Sequence, residues 1–116
     1  MAGELIVLIT APDVHEAKLI ANALVEERLA ACVNIIHGVE SVYRWEGQVT
    51  RDSEQLLVVK TVVERLSGLE ARVKELHSYS TPEIVAFSIE RGSAAYLKWL
   101  RDSTAEDECQ TRRQER

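Results

Sequence analysis

The stretch from Val33 to Trp45 reads as one uninterrupted β-strand of thirteen residues, closed by the turn signal Trp45-Glu46-Gly47. Strands in globular proteins usually run about 5–6 residues. At roughly 3.3 Å per residue this one spans about 40 Å. A compact domain of about 100 residues is only about 33 Å across. The strand therefore outgrows the body that carries it, and its overhang leaves backbone N–H and C=O groups unpaired. Long, flat edges template pairing with other chains, and proteins keep them covered. The economical cover is a second copy of the same chain. The sequence thus constrains assembly before it constrains chemistry.

A chain of 116 residues, 46% of them hydrophobic, fits one domain with an adequate core and no need of disulfides. Its formal net charge of −5, with no basic run, lacks the clustered Lys and Arg by which proteins hold nucleic acid. The apolar run Leu5–Ile9 follows an acidic Glu4 and is too short for a secretory leader or a membrane span. Two cysteines, Cys32 and Cys109, make no disulfide framework. Free thiols and a reducing, cytoplasmic setting are the expectation.

The elements follow in a legible order. Leu5–Ile9 is a continuous apolar run, as expected of a strand buried on both faces. Pro12-Asp13 ends it, and Asp13 with Glu16 resembles a capping box. Ala17, Ile20, Ala21, Leu24, Val25 and Leu29 then form a helical stripe, and the long strand follows. Gln55–Val62 reads as the returning strand of a hairpin. Leu66, Leu69, Val73 and Leu76 mark a second helix, weakened at Gly68 by roughly 1 kcal/mol relative to Ala. His77–Pro82 is a loop, and Glu83–Ile89 a fourth strand. Ser93 caps a short last helix, whose Tyr96 and Trp99 share a face expected to pack on the sheet.

Strand–helix–strand, twice over, predicts an α+β chain of the ferredoxin-like, split βαβ kind. That fold is an antiparallel sheet with two helices on one face, here with a long hairpin between the second and third strands and a short C-terminal helix. Residues 1–102 form the domain, and 103–116 a polar tail expected to be disordered. The strands are apolar at both alternations: Ile6 and Leu8 as well as Leu5, Val7 and Ile9. The face without helices also needs a cover, which is a second argument for assembly.

Chemistry is thinner. Cys32, between the first helix and the long strand, offers a thiolate suited to Cu(I) or zinc, or else a small buried hydrophobe. His77, after the second helix, offers an imidazole for copper or zinc, or else a helix-end partner for terminal carbonyls. Lys60, Tyr79 and Glu83 are candidates for a polar pocket receiving a metal or small anion, against the simpler reading of a structural Lys–Glu pair. Tyr43, Arg44, Trp45 and Glu46, at the hairpin tip, have an interface composition. His15 and His37 read as surface residues. There is no Gly-rich phosphate loop, Cys-x-x-Cys, His-Glu-x-x-His or Gly-x-Ser-x-Gly, so no catalytic residue is assigned and no enzyme is expected.

Six segments taken together carry a family resemblance. They are Thr10-Ala11-Pro12-Asp13, Leu29 to Ile35, Ser41 to Gly47, Leu56 to Lys60, His77 to Ile84, and Tyr96 to Leu100. In this order and spacing they resemble the divalent-cation tolerance family CutA, from about Leu5 to Leu100. The resemblance implies a ferredoxin-like fold, a homotrimer, and a role linked to divalent metals, copper above all; copper or another divalent metal, weakly bound, is the cofactor expected here. Trimer rather than dimer comes from the resemblance alone. Relatives credited with metal ligands carry a Cys or a second His where this chain has Ile9 and Leu76, which cannot ligate; His77 survives. His77-Ser78-Tyr79 also replaces the family's His-Pro-Tyr. The alternative reading is a trimeric small-ligand sensor similar in plan to PII proteins, or a signalling or scaffold module without metal function.

Overall fold

A computed structural model describes residues 3–106. The order is β1 (Glu4–Ala11), α1 (Val14–Glu26), β2 (Cys32–Trp45), β3 (Gln48–Val62), α2 (Val63–Leu76), β4 (Ile84–Ser88) and α3 (Ala94–Thr104). The four strands form one sheet in the order β2-β3-β1-β4, and every pairing is antiparallel. Each helical crossover skips one strand position, which is the expected split βαβ arrangement of an α+β ferredoxin-like fold.

Side-chain alternation sorts the sheet into two faces. Val7 and Ile9 of β1 lie level with Val59 and Leu57 of β3, and with Leu5 and Ala11 they pack with Ala17, Ile20 and Leu24 of α1 and Leu69 and Val73 of α2. This is the core. Asp13 caps α1 as expected, its Oδ1 accepting the Glu16 N–H at 2.8 Å. Glu16 does not reach back to complete the box. Its carboxylate accepts instead from Ser78 N–H and Oγ–H. Val25 is exposed, because α1 ends at Glu26 and the chain turns at Arg28, φ 60°. Gly68 has a packing reason that sequence alone did not supply: a Cβ there would stand 3.2 Å from Leu29 Cδ2.

The hairpin is longer than expected. β3 begins at Gln48, seven residues before Gln55, and pairs with β2 as far as Trp45. Gln48–Glu54 carries no apolar alternation, so only its partner strand keeps it extended. β1 ends opposite Gln55, so this outer part, about 23 Å of strand, is a free two-stranded arm. The molecule measures 57 × 32 × 22 Å. The arm closes at Glu46 and Gly47, both at positive φ (50° and 80°), as a tight two-residue hairpin turn requires. At its root, a register shift between Ile36 and Val39, with Gly38 at φ 73°, inserts an extra residue into β2. Even-numbered β2 residues face away from the helices before this bulge, and odd-numbered ones after it.

α3 departs from its expected packing. It buries Leu100, next to Ala31 and Val62, and Thr104. Tyr96 and Trp99 instead contact each other at 5.4 Å between ring centroids and stay 42% and 46% exposed, because the helix sits at the end of the sheet. α3 also runs through Thr104, two residues past the expected domain boundary. Arg28 and Arg65 donate to the carbonyls of Ser103 and Thr104 at 3.2 and 2.7 Å, which serves the unpaired groups of a helix end. The rest of the expected tail, with Cys109, lies outside the described residues.

Arg101 holds α3 to β1 through the buried Glu4 carboxylate. The guanidinium hydrogen bond holds Glu4 below its ordinary carboxylate range, against the opposing effect of burial. A lowered folded-state pKa adds stability that is present above the unfolded value and lost as pH falls through the folded one. Urea unfolding of Arg101→Leu should therefore show a deficit at pH 7 that shrinks toward pH 3. A deficit independent of pH would assign the loss to packing instead. Asp13→Ala should cost about 1 kcal/mol by the same assay.

Candidate functional site

The face without helices carries Ile6 and Leu8 of β1, Leu56 and Val58 of β3, and Val85 and Phe87 of β4, the last 54% exposed. Toward the arm this face turns polar. The bulge brings Ser41, Tyr43 and Trp45 onto the same side as Asp52 and Glu54. Together with Thr10 and the loop residues Tyr79, Ser80, Thr81 and Glu83 they line a cleft of about 740 Å³.

Carboxylates and hydroxyls dominate the chemistry of this cleft. Glu54 is 7% exposed and accepts from the Tyr79 hydroxyl at 3.1 Å. Asp52 accepts from the Tyr43 hydroxyl. Burial, then the Glu54 hydrogen bond, pushes Tyr79 up to about 12. The Asp52 bond raises Tyr43 as well. No basic side chain lines the cleft among the described residues. Tyr79 and Glu83 both line the cleft of the single chain, and Lys60 does not. Its ammonium donates to Asn34 Oδ1, six residues along β3 from Glu54. The structural Lys60–Glu83 pair is not formed within one chain, because the intervening strand holds them far apart.

Sequence reasoning missed Asp52 and Glu54. Their spacing of two, which puts both on one face of a strand, was the available signal, but this polar segment read as the connection after the turn.

His77 is held on both nitrogens. Its side chain is fully buried. Nδ1 accepts the Tyr79 N–H at 3.0 Å, so Nε2 carries the proton and donates to the Thr10 carbonyl at 2.7 Å. The Glu16 carboxylate stands 3.3 Å from Nδ1, but that nitrogen is already an acceptor, so this is no ion pair while the ring is neutral. The imidazole ties the loop to β1 and packs against Tyr79 with ring centroids 4.8 Å apart and planes tilted by 48°. In this arrangement it has no lone pair for a metal. Cys32 is half-buried and lies level with Lys60 and Ile6, while His77 contacts Thr10. Four residues of β1, about 13 Å, separate the two positions. Cys32 and His77 do not form a shared metal site, and no group of three or more His, Cys, Asp or Glu suited to a metal occurs among the described residues. At the arm tip Trp45 is 63% exposed and Arg44 donates to the Gly47 carbonyl, at 3.3 Å.

Residues 5–103 match the family described as CutA1 divalent ion tolerance protein. The chain belongs to this family. It is 55% identical over 101 residues to the divalent-cation tolerance protein CutA of Thermus thermophilus, covering 87% of this chain and 98% of that protein. It is 48% identical over 100 residues to the chloroplastic protein CutA of Arabidopsis thaliana, covering 86% of this chain but only 55% of that longer one. Among solved structures, the divalent cation tolerance protein of Thermus thermophilus superposes with a TM-score of 0.87 at 55% identity, covering 88% of this chain and 99% of that one. CutA1 from Oryza sativa gives 0.88 at 43% identity, covering 91% and 97%. The family's association with divalent-cation tolerance accordingly applies to this chain.

The cleft has a spectroscopic signature. A tyrosine that ionises only near pH 12 should appear in the absorbance titration and vanish in Tyr79→Phe. Because its folded pKa is raised, its contribution to stability is present below about pH 10 and lost as pH climbs toward 12. A titration with every tyrosine near 10 would overturn the Tyr79–Glu54 bond.

Proposed function

We propose that this chain works as a cytoplasmic homotrimer in the cell's tolerance of divalent cations, and that its ligand-binding surfaces form between subunits. The observation that carries this reading is the uncovered sheet face. Its apolar residues run without interruption from Ile6 to Phe87, and the arm extends past the end of β1. Exposed apolar patches of this kind are interaction surfaces, and an oversized hairpin is a means of reaching a neighbour. Three copies, rather than two, is what the resemblance of the sequence implies. No described helix is long and apolar enough to cross a membrane.

For copper, the soft donor among the described residues is Cys32, and a single thiolate suits weak binding. His77 serves the fold. The small-anion alternative gains no support from a cleft lined by Asp52, Glu54 and Glu83. In a Cu(I) competition titration, Cys32→Ser should lower affinity about tenfold. His77→Ala should leave affinity unchanged and lower stability by about 1–3 kcal/mol, because it orphans the Thr10 carbonyl and the Tyr79 N–H. The reverse pattern would restore His77 as a ligand. Light scattering should give about three times 13.1 kDa, and the melting temperature should rise with protein concentration. A monomer overturns the assembly.

A further inference from the structure

The uncovered face is electrically lopsided. At one end stands Lys60, whose ammonium has, among the described residues, only the neutral Asn34 amide oxygen as partner. At the other end, about 20 Å away along β3, lies the carboxylate cleft. The two tyrosine hydroxyls serve Asp52 and Glu54. Glu83 has no hydrogen bond or ion pair among the described residues. Between the two ends run the apolar residues Ile6, Leu8, Leu56 and Val58.

A second copy that covers the apolar span withdraws both charged ends from water at once. An unpaired charge buried in that way is strongly unfavourable. Within one chain the strand keeps Lys60 and Glu83 apart, so the compensation has to come from the neighbour. A head-to-tail contact supplies it, since the cationic end of one copy then lies on the acidic end of the next. Repeated contacts of that type close into a ring when the rotation allows. We propose that Lys60 of one copy enters the cleft of the neighbouring copy and pairs with its Glu83, between the walls formed by Glu54 and Tyr79. The site is incomplete in a single chain and is completed by the partner. This deepens the assembly reading above and rests on it.

Sedimentation at micromolar concentration tests the pairing. Wild type should sediment as an assembly. Lys60→Glu and Glu83→Lys should each raise the dissociation constant at least about tenfold, and the double variant should recover most of that loss. Lys60→Met keeps the aliphatic stem and removes only the charge. It decides the matter if Lys60→Glu fails to fold by circular dichroism, and should weaken assembly in the same direction. An assembled wild type with an indifferent Lys60→Met overturns the pairing and leaves the assembly reading standing. So does a double variant no tighter than the weaker single one. A monomeric wild type overturns both.

Discussion

A four-stranded sheet has two faces, and this chain has helices for only one of them. α1 and α2 bury Leu5, Val7, Ile9, Leu57 and Val59 completely or nearly so, which makes an ordinary core. The alternate residues of the same strands are nearly as apolar and have nothing above them. Burial of apolar surface is the main favourable term in folding and association alike. The surface left over when the monomer has folded is therefore the surface that drives the next step. The arm, the bulge and the cleft all take their meaning from that remaining face.

The bulge at Ile36–Val39 is the small backbone event with the largest consequence. A strand alternates with a period of two, so one extra residue transfers every later side chain to the opposite face. It aligns Tyr43 with the acid row of β3. Without it the tyrosine would face the other side, and Asp52 would lose its hydroxyl partner. The loop before β4 is fixed just as locally. His77 grips the Thr10 carbonyl through Nε2 and the Tyr79 N–H through Nδ1, and so sets Tyr79 against Glu54. A residue whose type suggests metal chemistry acts here as a joint between loop and strand.

Much of the fold was legible because its signals are local. Asp13 and Ser93 cap the helices they precede, the stripe from Ala17 to Leu24 faces the core, and Glu46-Gly47 makes the turn. The site was legible only in part. Tyr79 and Glu83 line one cleft, Lys60 lies elsewhere on the face, and Asp52 and Glu54 were overlooked. Gln48–Glu54 looks like a loop, and only pairing with β2 makes it strand. Tyr96 and Trp99 misled for a related reason: helical spacing reveals a shared face but not what that face meets.

The sequence by itself determined the order of elements, the split βαβ plan, the excess length of the hairpin and the apolar character of both sheet faces. These depend on residue type and spacing along the chain. Only the tertiary structure decided which acids converge, which nitrogen of His77 carries its proton, and that Lys60 and Glu83 stand at opposite ends of one face. Those facts depend on strand register and on a single inserted residue, and periodicity carries no information about either.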